Sequence, residues 1–429
     1  MTTTALQQLG TRLLSRKPDD QALQLARHSL LDTAGCIMAG RASVQVKRLE
    51  AGLKDAGAGP AACALKNGTA AHAIDYDDYE ELGSTHPSAV LVPALCALAG
   101  RGNYTNAQVL HAYVAGFETI LAVGKVLGYQ HYLAGWHATS TIGRVGAAMA
   151  CARLLELDRD QAVNAMSVAM TQSAGMKVEF GTDVKPLHAG FASRTGVEAA
   201  LLAQAGLTAA ADAGEGESGF FQIYGTPASP GWGCLFETGL PRINDHPPFL
   251  KLSPCCGYTL RAIEAAEVLH AKHDLTLQAI KAVTVKIARP YYSVAGFDRP
   301  GDACEARFSI VYCVAAGLAH GKVDIASFTP EQLQRADISN LVNKTTVQPY
   351  ELAEGLGDMS PQAPDTVTVY IKDGAQFAET VARVRGGPGR LLSSDDVVEK
   401  YVSCGGQAET AREFLHAGMS ERFQDLINR

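Results

Sequence analysis

No window of this 429-residue chain approaches twenty consecutive apolar residues. The most apolar stretch, residues 89–100, is too short to span a bilayer and holds Pro93. Basic tracts are absent too: 37 Lys and Arg stand against 44 Asp and Glu, a net charge of −7. That balance argues against nucleic acid or an anionic membrane as partner. The N-terminus lacks a basic region followed by an apolar run and a small-residue cleavage site. Arg12, Arg16, Lys17, Asp19 and Asp20 interrupt it, so no secretory signal is expected. None of the ten cysteines forms a CxxC pair, and most lie in Ala/Leu/Val-rich runs. They read as reduced, buried thiols in a cytoplasmic protein. No Walker loop, GxSxG elbow or HExxH is present, and the glycine-rich GEGESGFF (214–221) follows no strand. NAD, ATP and the common hydrolase chemistries are therefore not first guesses.

What remains is a folded composition: 47% hydrophobic, 19% charged and 7% aromatic, long enough for two or three domain-sized units. The first 240 or so residues read as helical. Leu23, Ala26, Leu30, Ala34 and Ile37 make one stripe, and Val145, Met149, Ala152 and Leu155 another. Gly40, Gly100, Gly128 and Gly206 stand where helices should stop. The texture changes near Pro241. The segment PRINDHPPFLKLSP holds four prolines and cannot be helix interior. After one more helix, at about 258–270, strand patterns appear. Val283, Val285 and Ile287 alternate with polar residues, as do Val367, Val369 and Ile371, before an Asp373-Gly374 turn. RGGPGR ends this stretch, and Ser393, Ser394 and Asp395 offer N-caps for a last helical segment. The expected fold is mainly α: a large all-helical domain (1–241 plus 391–429) with an inserted smaller α/β lid domain (242–390). Such an insertion puts a site between the two parts.

Four polar clusters stand out. In HAIDYDDYEELGSTHPSAV, Asp75, Asp77 and Asp78 precede His86. A calcium loop is excluded, because the required glycine and glutamate are missing. What stays open is a solvated acidic turn, or an Asp–His pair for proton transfer. In GWHATSTIGR, His137 is either a structural histidine or a site residue. In FGTDVKPLHAGFASR, Lys185, His188 and Arg194 either lie on the surface or bind a carboxylate. In FLKLSPCCGYTLR, Lys251 precedes Cys255 and Cys256. These read as packing cysteines, since no second Cys/His pair stands at zinc spacing.

Taken together, NGTAAHAIDYDDY…THPS (67–88), GWHATSTIG (135–143), KPLHAG (185–190), KLSPCCGYTLRAIEAA (251–266) and EARFSIVYCVAAGLAHG (305–321) resemble the MmgE/PrpD family. The resemblance runs from about residue 30 to 401. It implies a helical domain with an α/β lid, a homodimer, no cofactor and no metal. It also implies a small polycarboxylate as substrate, and a lyase (dehydratase or decarboxylase) in the first place. An epimerase of an amino- or imino-dicarboxylate such as iminodisuccinate is the second reading, and a non-catalytic carboxylate binder the third. By the same resemblance, Asp75 would hold and polarise His86, the proton shuttle. His137 and Lys185 would hold substrate carboxylates, and Lys251 and Tyr312 would close over the ligand from the lid; His188, from its own cluster, is a further substrate-binding candidate. Tyr79 and Arg144 depart from the family pattern. Tyr79 would shrink or re-aim that corner of the site and add a phenol, which in the epimerase reading would pair with His86 for two-sided proton transfer, and Arg144 either adds a charge or points into solvent.

Overall fold

The computed structural model describes residues 3–55, 57–273, 275–424 and 426–427. Residues 1, 2, 428 and 429, the ends of the expected helical domain, lie outside them. Up to Thr238 the described residues hold helices and no strand. The first sequence stripe lies on the helix Asp20–Gly40, capped by Asp19, and the second on Gly143–Leu154, with Leu155 as its C-cap. The helix Asn106–Leu127 is long and apolar enough to cross a membrane by length and composition, yet 89% of its most apolar window is buried inside the protein. Glycines allow its close approach to Gly143–Leu154. A Cβ on Gly116 would stand 2.7 Å from the Cβ of Ala150 and 2.9 Å from the carbonyl oxygen of Gly146.

A second close crossing positions the site. The helices Pro60–His72 and Val184–Gln204 pack against one another. At their contact a Cβ on Gly68 would lie 2.9 Å from the Cα of Gly190, so neither position tolerates a side chain without moving a backbone. This brings the last residue of one helix, His72, close to the first turn of the other, which carries Lys185 and His188.

The smaller part is built on four strands: β1 (Ile280–Ala288), β2 (Thr345–Tyr350), β3 (Asp365–Ile371) and β4 (Gln376–Val381). Their order is β2-β1-β3-β4, with β1–β2 parallel and the other two pairs antiparallel. Val283 pairs with Val369 and Val285 with Val367, so the alternating valines share one buried face. The helix Leu260–Lys272 packs on β3 and β4, and Ile310–His320 packs on that helix and on β2. β2 carries no clean apolar alternation and contains Pro349. Proline is tolerated there because β2 is an edge strand. The proline-rich run after residue 238 has no helix or strand until residue 257. The helix Ser394–Ser403, capped by Ser393, then packs on Asp20–Gly40.

Candidate active site

The helix Pro60–His72 ends in a turn whose Asp75 takes the left-handed conformation (φ 55°), a position Asp tolerates better than most residues. The turn directs Asp75 and Asp77 to different partners. Tyr79 then forms a short antiparallel bridge with Phe249. That bridge carries the proline-rich segment alongside the turn, and Lys251 follows two residues later. The Lys251 ammonium donates to the Asp75 carbonyl (2.9 Å) and to Asp75 Oδ1 (2.8 Å). Lys185 Nζ reaches the same Oδ1 at 3.0 Å. Burial pushes the Asp75 carboxyl up, but Lys185 and Lys251 outweigh it and hold it well below the usual range. Lys251 is fully buried, which lowers its pKa, yet Asp75 and Asp77 leave it raised overall.

Asp77 organises two imidazoles. Its Oδ2 lies 2.8 Å from His72 Nδ1 and 3.1 Å from His86 Nδ1. Burial would raise its pKa, but the two imidazoles hold it down, so Asp77 is ionised. A carboxylate facing Nδ1 favours the Nδ1–H tautomer and leaves Nε2 basic. His86 Nε2 lies 4.0 Å from Asp75 Oδ1. Burial first, then the Lys251 charge, push the His86 pKa down to about 3. The expected pairing is thereby corrected: Asp77, not Asp75, contacts His86 most closely, and Asp75 anchors the two lysines. Asp78 has a different task. It accepts from the Ser88 N–H (3.0 Å) and hydroxyl (2.5 Å) at the start of the next helix.

The backbone N–H of His137 donates to the Gly175 carbonyl, and its Nδ1 meets His188 Nδ1 at 2.9 Å. The ring stacks near His72 at 5.8 Å. Burial lowers the pKa of both, His188 to about 4. Asp75 Oδ2, Asp77 Oδ1, His72 Nε2, His137 Nε2 and Tyr79 Oη are buried with no hydrogen-bond partner in the protein. Orphans of this kind cost stability, so their concentration here marks a site built for something other than packing.

A small, partly open pocket lies against this cluster. Asp75, His86, His137 and Lys185 line it together with Tyr79, Tyr132, Phe180, Tyr258 and Phe308. Its lining therefore comes both from the helical part and from residues 256–308. Cys256 also lines it, but burial pushes its thiol up to about 12, so it is no nucleophile near neutral pH. His72, Asp75, Asp77 and His86 place one ligand atom each within 4.8 Å of one another, a set a metal ion could use. Asp75 Oδ1 already faces two ammonium groups, whereas its Oδ2 has no partner in the protein.

Tyr312 is not brought to the cavity. Its hydroxyl donates to the Ser327 carbonyl and its ring packs near Phe328, while Phe308, just before its helix, supplies the wall. Arg144 neither lines the cavity nor faces solvent. Its guanidinium donates to the carbonyls of Ser140, Gln172 and Ala174 and to the Ser140 hydroxyl. This braces the two backbone segments around His137. His188 stands behind His137 and is not a lining residue. His72 was missed at the sequence level. The available signal was its place inside HAIDYDD, five residues before Asp77, where a helix end and a turn can face each other.

A helical body, a small mixed sheet and a cavity of lysine, carboxylate and imidazole define a protein equipped to bind an anion beside transferable protons. The model for the MmgE/PrpD N-terminal domain matches residues 11–232, and that for the MmgE/PrpD C-terminal domain matches residues 253–416. The chain belongs to the MmgE/PrpD family. It is 27% identical to the cis-aconitate decarboxylase-like protein oryM of Aspergillus oryzae, over 90% of this chain and 87% of that one. It is 28% identical to a cis-aconitate decarboxylase of Aspergillus terreus, over 81% and 75% of the two chains. With the cis-aconitate decarboxylase of Homo sapiens it shares 25% identity over 89% and 83%.

Proposed function

We propose that the protein is a carboxy-lyase that releases CO₂ from a small unsaturated polycarboxylate. The observation that carries this reading is the pairing of Lys185 with the Asp77-held His86 in the lining of one pocket. The names of its relatives support the same reaction type. In the proposed step the bond to the departing carboxylate breaks, and its electron pair moves into a new double bond. The displaced pair takes a proton at the far carbon. Each turnover therefore consumes one proton and releases one CO₂. Lys185 and His137 hold the retained carboxylates, where negative charge builds up. His86 is neutral at rest. A bound polyanion raises its proton affinity, and Asp77 stabilises the imidazolium that then delivers the proton.

A specific observation favours epimerisation as the second reading. The Tyr79 hydroxyl is a buried donor with no partner in the protein, its ring 5.7 Å from that of His86. Proton NMR in D₂O with citrate, 2-methylcitrate, cis-aconitate and iminodisuccinate tests both. Loss of a carboxylate with a new vinylic signal is expected. Deuterium wash-in without a new product would replace the lyase by the epimerase.

A further inference from the structure

A side chain of the smaller part reaches the turn that leads into His86. Ser84 lines the pocket and donates its hydroxyl to Asp358 Oδ2 at 2.8 Å. Asp358 lies between β2 and β3, so this bond joins the sheet-bearing part of the chain to the helical part. Both residues are buried.

The contact is held from both sides. The Glu80 carboxylate closes the turn, accepting from the Gly83 N–H (3.0 Å) and from the Thr85 N–H and hydroxyl (3.2 and 2.7 Å). Gly83 presses on the helix Asn106–Leu127, where a Cβ on Gly124 would stand 2.5 Å from the Gly83 Cα. On the other side, Arg261 donates to the carbonyls of Met359, Ser360 and Ala363. Arg261 belongs to the helix Leu260–Lys272, which begins just after the lining residues Cys256, Gly257 and Tyr258.

Stability alone does not account for this arrangement. Ser84 and Met359 both take the left-handed conformation (φ 54° and 48°), which serine and methionine adopt only at a cost. Asp358 Oδ1 is buried with no hydrogen-bond partner in the protein. Burial pushes the carboxyl well above its usual range, with no cation offsetting it. Backbone strain and orphaned polar atoms together mark a contact kept for function.

We propose that Asp358 is a positioning residue of the active site: through Ser84 it fixes the end of the turn from which His86 enters the pocket, so the smaller part holds the proton donor in place. The catalytic side of this statement rests on the carboxy-lyase reading. Its geometric side does not.

Two variants break the contact without endangering the fold. Asp358→Leu nearly keeps the shape of aspartate and removes a buried acid. Ser84→Gly suits the left-handed backbone. The test uses the full chain with isotope-labelled histidine. The His86 Cε1–H signal, assigned by its loss in His86→Gln, is expected to move in both variants. Signals of His111 and His416, on helices without a lining residue, should stay in place. For whichever carboxylate of the NMR panel is turned over, kcat should fall about tenfold or more with KM little changed, since a misplacement of about 1 Å can cost about a hundredfold. Asp358→Asn keeps an acceptor for Ser84 and should recover most of the rate.

An unmoved His86 signal overturns the proposal. So does parental kcat in either variant with only the melting temperature lowered, the result a purely structural brace would give. A moved His86 signal with no CO₂ released by the parent from any panel compound keeps the positioning and sinks the lyase. CO₂ release by the parent with an unmoved His86 signal does the reverse.

Discussion

His137 and His188 meet through their Nδ1 atoms at 2.9 Å, so one ring must donate the proton and the other accept it. The choice sets whether His137 Nε2, the atom without a protein partner, enters the cavity as donor or acceptor. His188 thus contacts His137 and does not line the pocket.

His188→Phe should consequently lower kcat by about a hundredfold, the lower end of what one donor to developing negative charge contributes, with KM changed little. His188→Asn keeps a hydrogen-bonding group and should recover part of the loss. Steady-state kinetics decides: a raised KM with unchanged kcat would return His188 to the substrate-binding role expected from its sequence cluster.

The pKa of His86, pushed down to about 3 by burial and then by Lys251, gives a signed prediction. An unfolded histidine titrates near about 6.5, so His86 takes up a proton on unfolding at any pH between those values. Its contribution to stability is whole above the unfolded value and is lost as pH falls toward the folded one. Lys251→Met removes a charge that lowers this pKa and frees Asp75, which raises it, so the titration should move up. Asp77→Asn should move it down. Histidine Cε1–H shifts against pH would show both, and an unmoved His86 in Lys251→Met would refute the assignment of cause.

The closing helix controls the active-site turn from behind. Lys400 Nζ pairs with Asp32 at 2.6 Å and donates to the Tyr76 carbonyl at 2.7 Å, all three groups buried. Removing one member of such a pair costs about 3–5 kcal/mol, whereas replacing both by apolar groups is close to neutral. Lys400→Met should therefore be severely destabilised in urea melts, and Asp32→Leu/Lys400→Met should regain most of that stability. The double variant should still lose activity, because the tether to Tyr76, between Asp75 and Asp77, is gone. Full activity in it would show that the turn holds its shape without the tether.

Tyr312→Phe should leave kcat/KM within about twofold of the parent. Its hydroxyl serves the Ser327 carbonyl, so the loss is one hydrogen bond, about 1 kcal/mol of stability. A tenfold fall in kcat/KM would return Tyr312 to the cavity.

Much of this was legible along the chain. The helical stripes, the proline-rich break and the β1 and β3 alternations are local patterns, and each lies where its period and punctuation put it. β2 was not legible, because an edge strand with a proline has no alternation to read. The polar clusters named Asp75, His86, His137, Lys185 and Lys251, all of which converge. The partners within that set were not readable. Whether Asp75 or Asp77 faces His86 turns on one left-handed residue, and one step along a tight turn redirects a side chain. His72 entered the cluster through the glycine contact between two helices far apart in sequence.

Composition and motif order therefore carry the class of fold, the family and the residue types of the site, because these depend on local periodicity and on side-chain chemistry. The division of labour among those residues is a matter of a few ångströms. It follows from long-range packing: Gly68 against Gly190, Tyr79 bridged to Phe249, Lys400 reaching across to Tyr76. Hydrogen bonds and ion pairs weaken steeply over that distance, so which carboxylate serves which cation becomes definite only once the chain is folded.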